Sequence, residues 1–160
     1  MSPKLYQHPF YNHLFGFFDT AIPSKRVGYK QDPQTKEIKV TNIPSGIFTF
    51  EENVKTFLQE HPEPSWPLDG RLLVAIYYCQ LESEYRQKDI DGFSKTVLDS
   101  MKGTVYTDDK QVDALYAFKF PSKTGRRHFF VGIKKIQNNE GWFIPPLFDS
   151  EPWMDSSITG

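Results

Sequence analysis

The chain has 160 residues, with 19 basic and 20 acidic side chains, a net charge of −1 and a single cysteine. That length suits one domain able to bury a core without staples, and one thiol excludes an internal disulfide framework. The near-neutral balance gives no composition-level sign of a nucleic-acid partner, but the charges are unevenly spread. Residues 140–160 carry Glu140, Asp149, Glu151 and Asp155 with no Lys or Arg, leaving 19 basic against 16 acidic residues over the rest. From Lys110 to Lys135 there are seven basic residues and one acid, Asp113. Such a stripe attracts phosphates or is simply a solvated face. The N-terminus has polar residues where a signal peptide has its apolar stretch. The longest apolar run, Leu72 to Cys79, is too short to span a bilayer. A cytoplasmic protein without membrane contact is expected, with Cys79 as a small buried hydrophobe.

In chain order, residues 1–48 read as irregular, rich in aromatics from Tyr6 to Phe18 and broken by turn signals at Pro23, Asp32-Pro33 and Pro44-Ser45-Gly46. Phe15–Ile22 and Ile38–Thr41 are short strand candidates. The early aromatics fit core or dimer packing better than a base-stacking platform. Residues 50–60 predict a helix, with Thr49 as its N-cap and Val54, Phe57 and Leu58 on one face. Pro62, Pro64 and Pro67 then stiffen a connector.

Residues 71–80 are almost continuously apolar and predict a strand covered on both faces. Residues 81–90 read as a polar loop. Residues 92–102 predict the clearest helix. Phe93, Val97 and Met101 form its stripe, Asp91 is its N-cap and Gly103 its left-handed C′ residue. Strands are expected at 111–120 and 128–136, joined as a hairpin through Pro121–Gly125. The four histidines have no metal-like spacing. Helices and strands mix without regular alternation, so the expected fold is α+β. It would be one domain over 1–139, a small mixed sheet packed against two helices, followed by an acidic aromatic tail at 140–160. Trp142, Phe143, Leu147, Phe148 and Trp153 suit that tail to packing, and a protein partner is one such surface.

The chemistry-bearing stretch is Lys88-Asp89-Ile-Asp91-Gly92-Phe-Ser-Lys95, then Asp99, then Asp108-Asp109-Lys110-Gln111-Val112. Two carboxylates at i and i+2 before a helix can converge. Asp91 and Lys95 share a helical face away from the apolar stripe. A strand running beside the helix would return Asp108 or Asp109 to them. Gathered carboxylates stay ionised only beside a cation, and oxygen-only ligation selects Mg²⁺ or Mn²⁺. Such an ion activates water at a phosphodiester, and Lys95 could bind the phosphate. Spacing alone equally admits ordinary helix capping at Asp89 and Asp91 and a turn at Asp108-Asp109.

The run from Asp89 to Val112 resembles, in order and nearly in spacing, the signature of RusA-like Holliday junction resolvases. That signature is Asp-x-Asp-Asn/Gly-x-x-Lys, a Leu-Asp-containing helix end, a Gly turn and Asp-Asp-x-Gln-Val. The resemblance covers about 70–136 and extends toward residue 15. It implies metal-binding acids at Asp89, Asp91 and Asp109, a supporting acid at Asp108 and an essential lysine at Lys95. It further implies a homodimer that makes paired, Mg²⁺-dependent nicks in four-way DNA junctions. DNA contacts are expected from Lys88, Lys25, Arg26, Lys110, Arg126 and Arg127. Gly92 departs from the commoner Asn, and only Pro23-Ser24-Lys25-Arg26 remains of the N-terminal basic pattern. A junction-binding protein that kept the fold but cuts weakly is the competing reading, and one whose tail docks on a repair partner is a third.

Overall fold

The computed structural model describes residues 2–24, 29–40 and 46–137. Lys25, Arg26 and the tail at 140–160 lie outside the described residues. The elements in order are β1 (Ser2–Tyr6), β2 (His13–Phe18), β3 (Tyr29–Gln31), β4 (Ile38–Val40), α1 (Gly46–Glu60), β5 (Leu72–Gln80), α2 (Glu82–Tyr85), α3 (Ile90–Met101), a 3-10 turn at Asp109–Gln111, β6 (Val112–Pro121) and β7 (His128–Lys135). Five strands form one sheet in the order β1-β2-β7-β5-β6, and β3 and β4 pair separately. Only β5 and β6 run parallel; the other neighbours are antiparallel. The fold is therefore the α+β domain with a mixed sheet that the sequence predicts.

Strand β5 is the axis. Each of its nine residues is buried, as its unbroken apolar run requires. On one sheet face Leu72, Val74, Ile76 and Tyr78 meet α1 and α3 through Phe50, Val54, Phe57, Leu58, Phe93, Val97 and Met101. On the other, Leu73, Ala75 and Tyr77 pack with Tyr11, Leu14 and Phe130. There the Tyr11 and Tyr77 hydroxyls lie 2.6 Å apart. Cys79 is buried, as expected.

Several expectations need correction. β6 and β7 are not a hairpin: they occupy opposite edges of β5. Helix α3 carries the chain back so that β6 pairs parallel with β5, which leaves the other edge to β7. The connection at 122–127 therefore crosses the end of β5, where the Ser122 amide donates to the Gln80 carbonyl at 2.7 Å. The irregular N-terminal region contains the β1–β2 hairpin, in which Leu14, Phe15, Gly16 and Phe17 are all buried. The strand candidate at Phe15–Ile22 overlaps β2 with its bounds shifted and that at Ile38–Thr41 is β4, whereas β1 matches no candidate. Helix α1 begins at Gly46, so Thr49 lies inside it rather than at its cap. Ile47 and Phe50 extend the buried stripe N-terminally. A single turn, α2, interrupts the expected loop at 81–90. The N-cap of α3 is Asp89, with Asp91 in the first turn. Gly103 has φ +82° and ends the helix as expected.

Among the described residues, no helix is long and apolar enough to cross a membrane. A Cβ on Gly132 would stand 2.6 Å from the Tyr11 ring. Gly132→Ala is thus expected to displace that ring and cost about 1–3 kcal/mol, read by urea unfolding. His128 is 1% exposed, and its imidazole pKa is pushed down to about 3, first by burial and then by Arg126. The unfolded chain takes up that proton near 6.5 and the folded one does not. Stability should therefore fall as pH drops below about 6.5. The fall in thermal midpoint between pH 7.5 and 5.5 is expected to shrink in His128→Phe, with a remainder from His13, whose pKa burial also lowers.

Candidate active site

Helix α3 shows solvent one charged stripe. Gly92, Phe93, Ser94, Thr96, Val97, Leu98, Ser100 and Met101 are buried, which leaves Asp91, Lys95 and Asp99, with Ile90 at the start and the C-cap Lys102, along the outer face. The buried hydroxyls are satisfied by carbonyls: Ser94 donates to Ile90 at 2.6 Å, Ser100 to Val97 at 2.6 Å and Thr96 to Pro23 at 2.7 Å. The bond to Pro23 draws the 22–24 segment against the helix. A Cβ on Gly92 would lie 3.1 Å from that of Ser24, so the departure from Asn accompanies a close approach of chain.

The 3-10 turn brings the next acid to this stripe. Asp108 caps it by accepting from the Lys110 amide at 3.0 Å. The Gln111 side chain closes the box, accepting from the Thr107 and Asp108 amides at 3.0 and 3.1 Å. Its amide group donates to the carbonyls of Leu68 and Gly70 at 2.9 and 3.1 Å. The turn is thus tied to the chain entering β5, and Asp109 is presented to α3. Lys95 donates to Asp109 at 2.8 Å and pairs with Asp99 at 3.0 Å; Lys102 stands 3.9 Å from Asp109. The Asp109 carboxyl is held below its ordinary range, first by Lys95 and then by Asp108. The Lys95 ammonium is held charged, with its pKa raised by Asp109 and then Asp99.

At the other end of α3, Asp89 has extended backbone and its carboxylate makes no capping hydrogen bond. Lys88, just before it, donates to the Ile22 carbonyl at 3.2 Å, and the Ile22 amide donates to the Tyr78 hydroxyl at 2.9 Å. Lys119 of β6 donates to the carbonyls of Tyr85 and Lys88 at 3.0 and 2.7 Å.

Of the residues singled out in sequence, the structure joins Lys95 to Asp109, with Asp91 one helical turn from Lys95 and Asp89 at the cap. Among the described residues, no three His, Cys, Asp or Glu side chains form a group able to hold an ion. The donor chemistry of Asp89, Asp91 and Asp109 nevertheless fits a hard divalent cation, being carboxylate oxygen alone. The expected DNA contacts divide. Lys110 is exposed. Lys88 turns inward to Ile22. Arg126 makes a two-pronged pair with Asp19 at 2.8 and 2.5 Å, and Arg127 does the same with Glu84. Asp99, Lys102, Gln111 and Lys119 were not assigned roles from sequence. The i, i+4 spacing to Lys95 could have flagged Asp99, whereas Lys119 becomes visible only with the strand order.

The structure is a small mixed α+β domain with Lys95 held between Asp99 and Asp109 on the outer face of α3. The family model described as Endodeoxyribonuclease RusA matches residues 20–131, and the chain belongs to this family of endodeoxyribonucleases, which act on junction DNA. No curated protein matches the sequence.

Because Asp108 serves as a cap, Asp108→Ala is expected to cost about 1 kcal/mol, measured by chemical denaturation. Asp108→Asn keeps an accepting oxygen and should cost clearly less.

Proposed function

We propose that the protein is a metal-dependent endodeoxyribonuclease that resolves four-way junctions by paired phosphodiester nicks, acting as a homodimer in the cytoplasm. The observation that carries this reading is the 2.8 Å bond between Lys95 and Asp109. It joins the two halves of the family motif on the one face of α3 that packing leaves open. Asp89, Asp91 and Asp109 would hold Mg²⁺, or Mn²⁺, with Asp108 supporting the turn beside them. The bound ion would supply activation of water and stabilisation of charge on the phosphate.

The remaining work falls to the chain's own residues. Lys95 is kept protonated by two carboxylates and is half-exposed, so it offers a fixed positive charge to a backbone phosphate or a departing oxygen. Asp99, one turn further along, anchors it. Lys110 and the neighbouring basic residues would meet the phosphate backbone without reading bases. Recognition of the junction then rests on shape and charge. The tail at 140–160 is proposed as a docking segment for a protein partner.

A second reading, junction binding with weak cutting, is favoured by one observation: among the described residues Asp89, Asp91 and Asp109 do not form a group able to hold an ion. The two are separated by incubating a labelled four-way junction and a matched duplex with Mg²⁺, Mn²⁺ or EDTA. Paired nicks on the junction alone, lost in EDTA, establish the nuclease; a bound, uncut junction under every condition establishes the binder. Asp91→Asn is expected to abolish cutting with junction affinity retained. Lys95→Ala should lower the cutting rate by about 10²-fold or more. A Lys95→Ala protein that cuts at the wild-type rate would remove Lys95 from the reaction.

A further inference from the structure

We propose that Lys119 is a positioning residue for the nuclease site, which clamps from β6 the backbone that presents Asp89; the kinetic half of this inference rests on the nuclease reading above. Lys119 pairs in register with Tyr78 near the end of β5. Its half-buried ammonium donates to the Lys88 carbonyl at 2.7 Å and the Tyr85 carbonyl at 3.0 Å, and stands 5.1 Å from the centre of the Tyr85 ring. The Lys88 carbonyl belongs to the peptide group whose nitrogen is that of Asp89. One cation therefore fixes the plane of the peptide from which the first acid departs, together with the end of α2 one turn earlier.

Lys88 is also held through its side chain. The Lys88 ammonium donates to the Ile22 carbonyl, and Ile22 is pinned through its amide to the Tyr78 hydroxyl. Tyr78 and Lys119 are register partners, so the loop before α3 is tied twice to one row of the sheet. These backbone ties fix the peptide from which Asp89 departs into α3. A charged donor on carbonyl acceptors gives shorter and stronger bonds than a neutral one, and its aromatic neighbour adds a cation–π attraction. β6 thus serves both ends of the site, since the turn that carries Asp109 opens it and Lys119 stands near its close.

The test compares wild type with Lys119→Met, which keeps the stem and loses the donor, and Lys119→Arg, which keeps a charged donor. Amide hydrogen exchange is measured on each full-length protein, with cutting rates and junction affinity measured alongside. Lys119→Met is expected to accelerate exchange over residues 86–93 while β5 and β7 stay protected. It should also lower kcat by about 10²-fold, the scale of an ångström-level misplacement, with junction affinity within about twofold of wild type. Lys119→Arg should recover much of both losses. Wild-type exchange at 86–93 in Lys119→Met, or a wild-type kcat, would overturn the proposal. Should Lys119→Met lose protection throughout, Lys119→Arg decides: recovery of the fold without recovery of kcat would also overturn it. Should the wild-type protein cut no junction, the nuclease reading fails, and exchange at 86–93 still judges the clamp.

Discussion

The parallel pairing of β5 with β6 is the constraint on which the remaining architecture depends. Two parallel strands cannot be joined by a tight turn, so the chain must travel back along the sheet, and α3 is that return path. Twelve residues of helix cover about 18 Å. Asp89 and Asp91 consequently stand where the chain has just left β5, and Asp109 stands where it is about to enter β6. Lys95 lies between, one turn into the helix, and reaches the later acid across the gap. The helix packs its apolar stripe and its hydroxyl-bearing flanks against the sheet and the 22–24 segment, so beyond Ile90 a charged line is left outside. The site is what remains of α3 after packing has taken the rest.

Around that path the polar work is done mainly by backbone acceptors. Lys88, Lys119, Thr96 and Gln111 all spend their donors on carbonyl oxygens of neighbouring segments. Each such bond satisfies a partly buried carbonyl and fixes a loop at once. The two arginines after the β6 crossing behave comparably, since each locks onto one carboxylate, Asp19 or Glu84. These pairs tie the ends of β2 and α2 to the connection over β5. Among the described residues that read in sequence as phosphate ligands, Lys88, Arg126 and Arg127 thus make contacts within the chain, while Lys110 is exposed.

How much could be read beforehand follows from the range of the interactions. Helix α3, its left-handed Gly103 and the strands β5, β6 and β7 are declared by local patterns of apolar residues and caps. The Asp89–Val112 motif is contiguous, so the acids and Lys95 were legible too. What escaped was set at long range. β1, only partly buried at the sheet edge, and its pairing with β2 carry no such local pattern. The strand order depends on which edge of β5 the last strand takes. The roles of Lys119 and Arg127 depend in turn on that order, because each partners a residue more than thirty positions away. A turn at Asp108-Asp109 was among the readings that spacing left open, and the Asp108–Gln111 capping box shows what holds it.

The last strand of the described chain sits in the middle of the sheet. β7 lies between β2 and β5, so during synthesis the first hairpin has no strand to join until residues 128–135 have been made. Until then β5 has one bare edge, and the aromatic side chains of β2 have no partner in Phe129 and Phe130. Contacts that join the two ends of a chain are slow to form because they close long loops. A nascent or truncated chain ending before 128 would already contain every acid of the motif, yet it would lack the strand that unites its halves. Sheet completion, and with it a rigid floor under α3, therefore waits on residues 128–135.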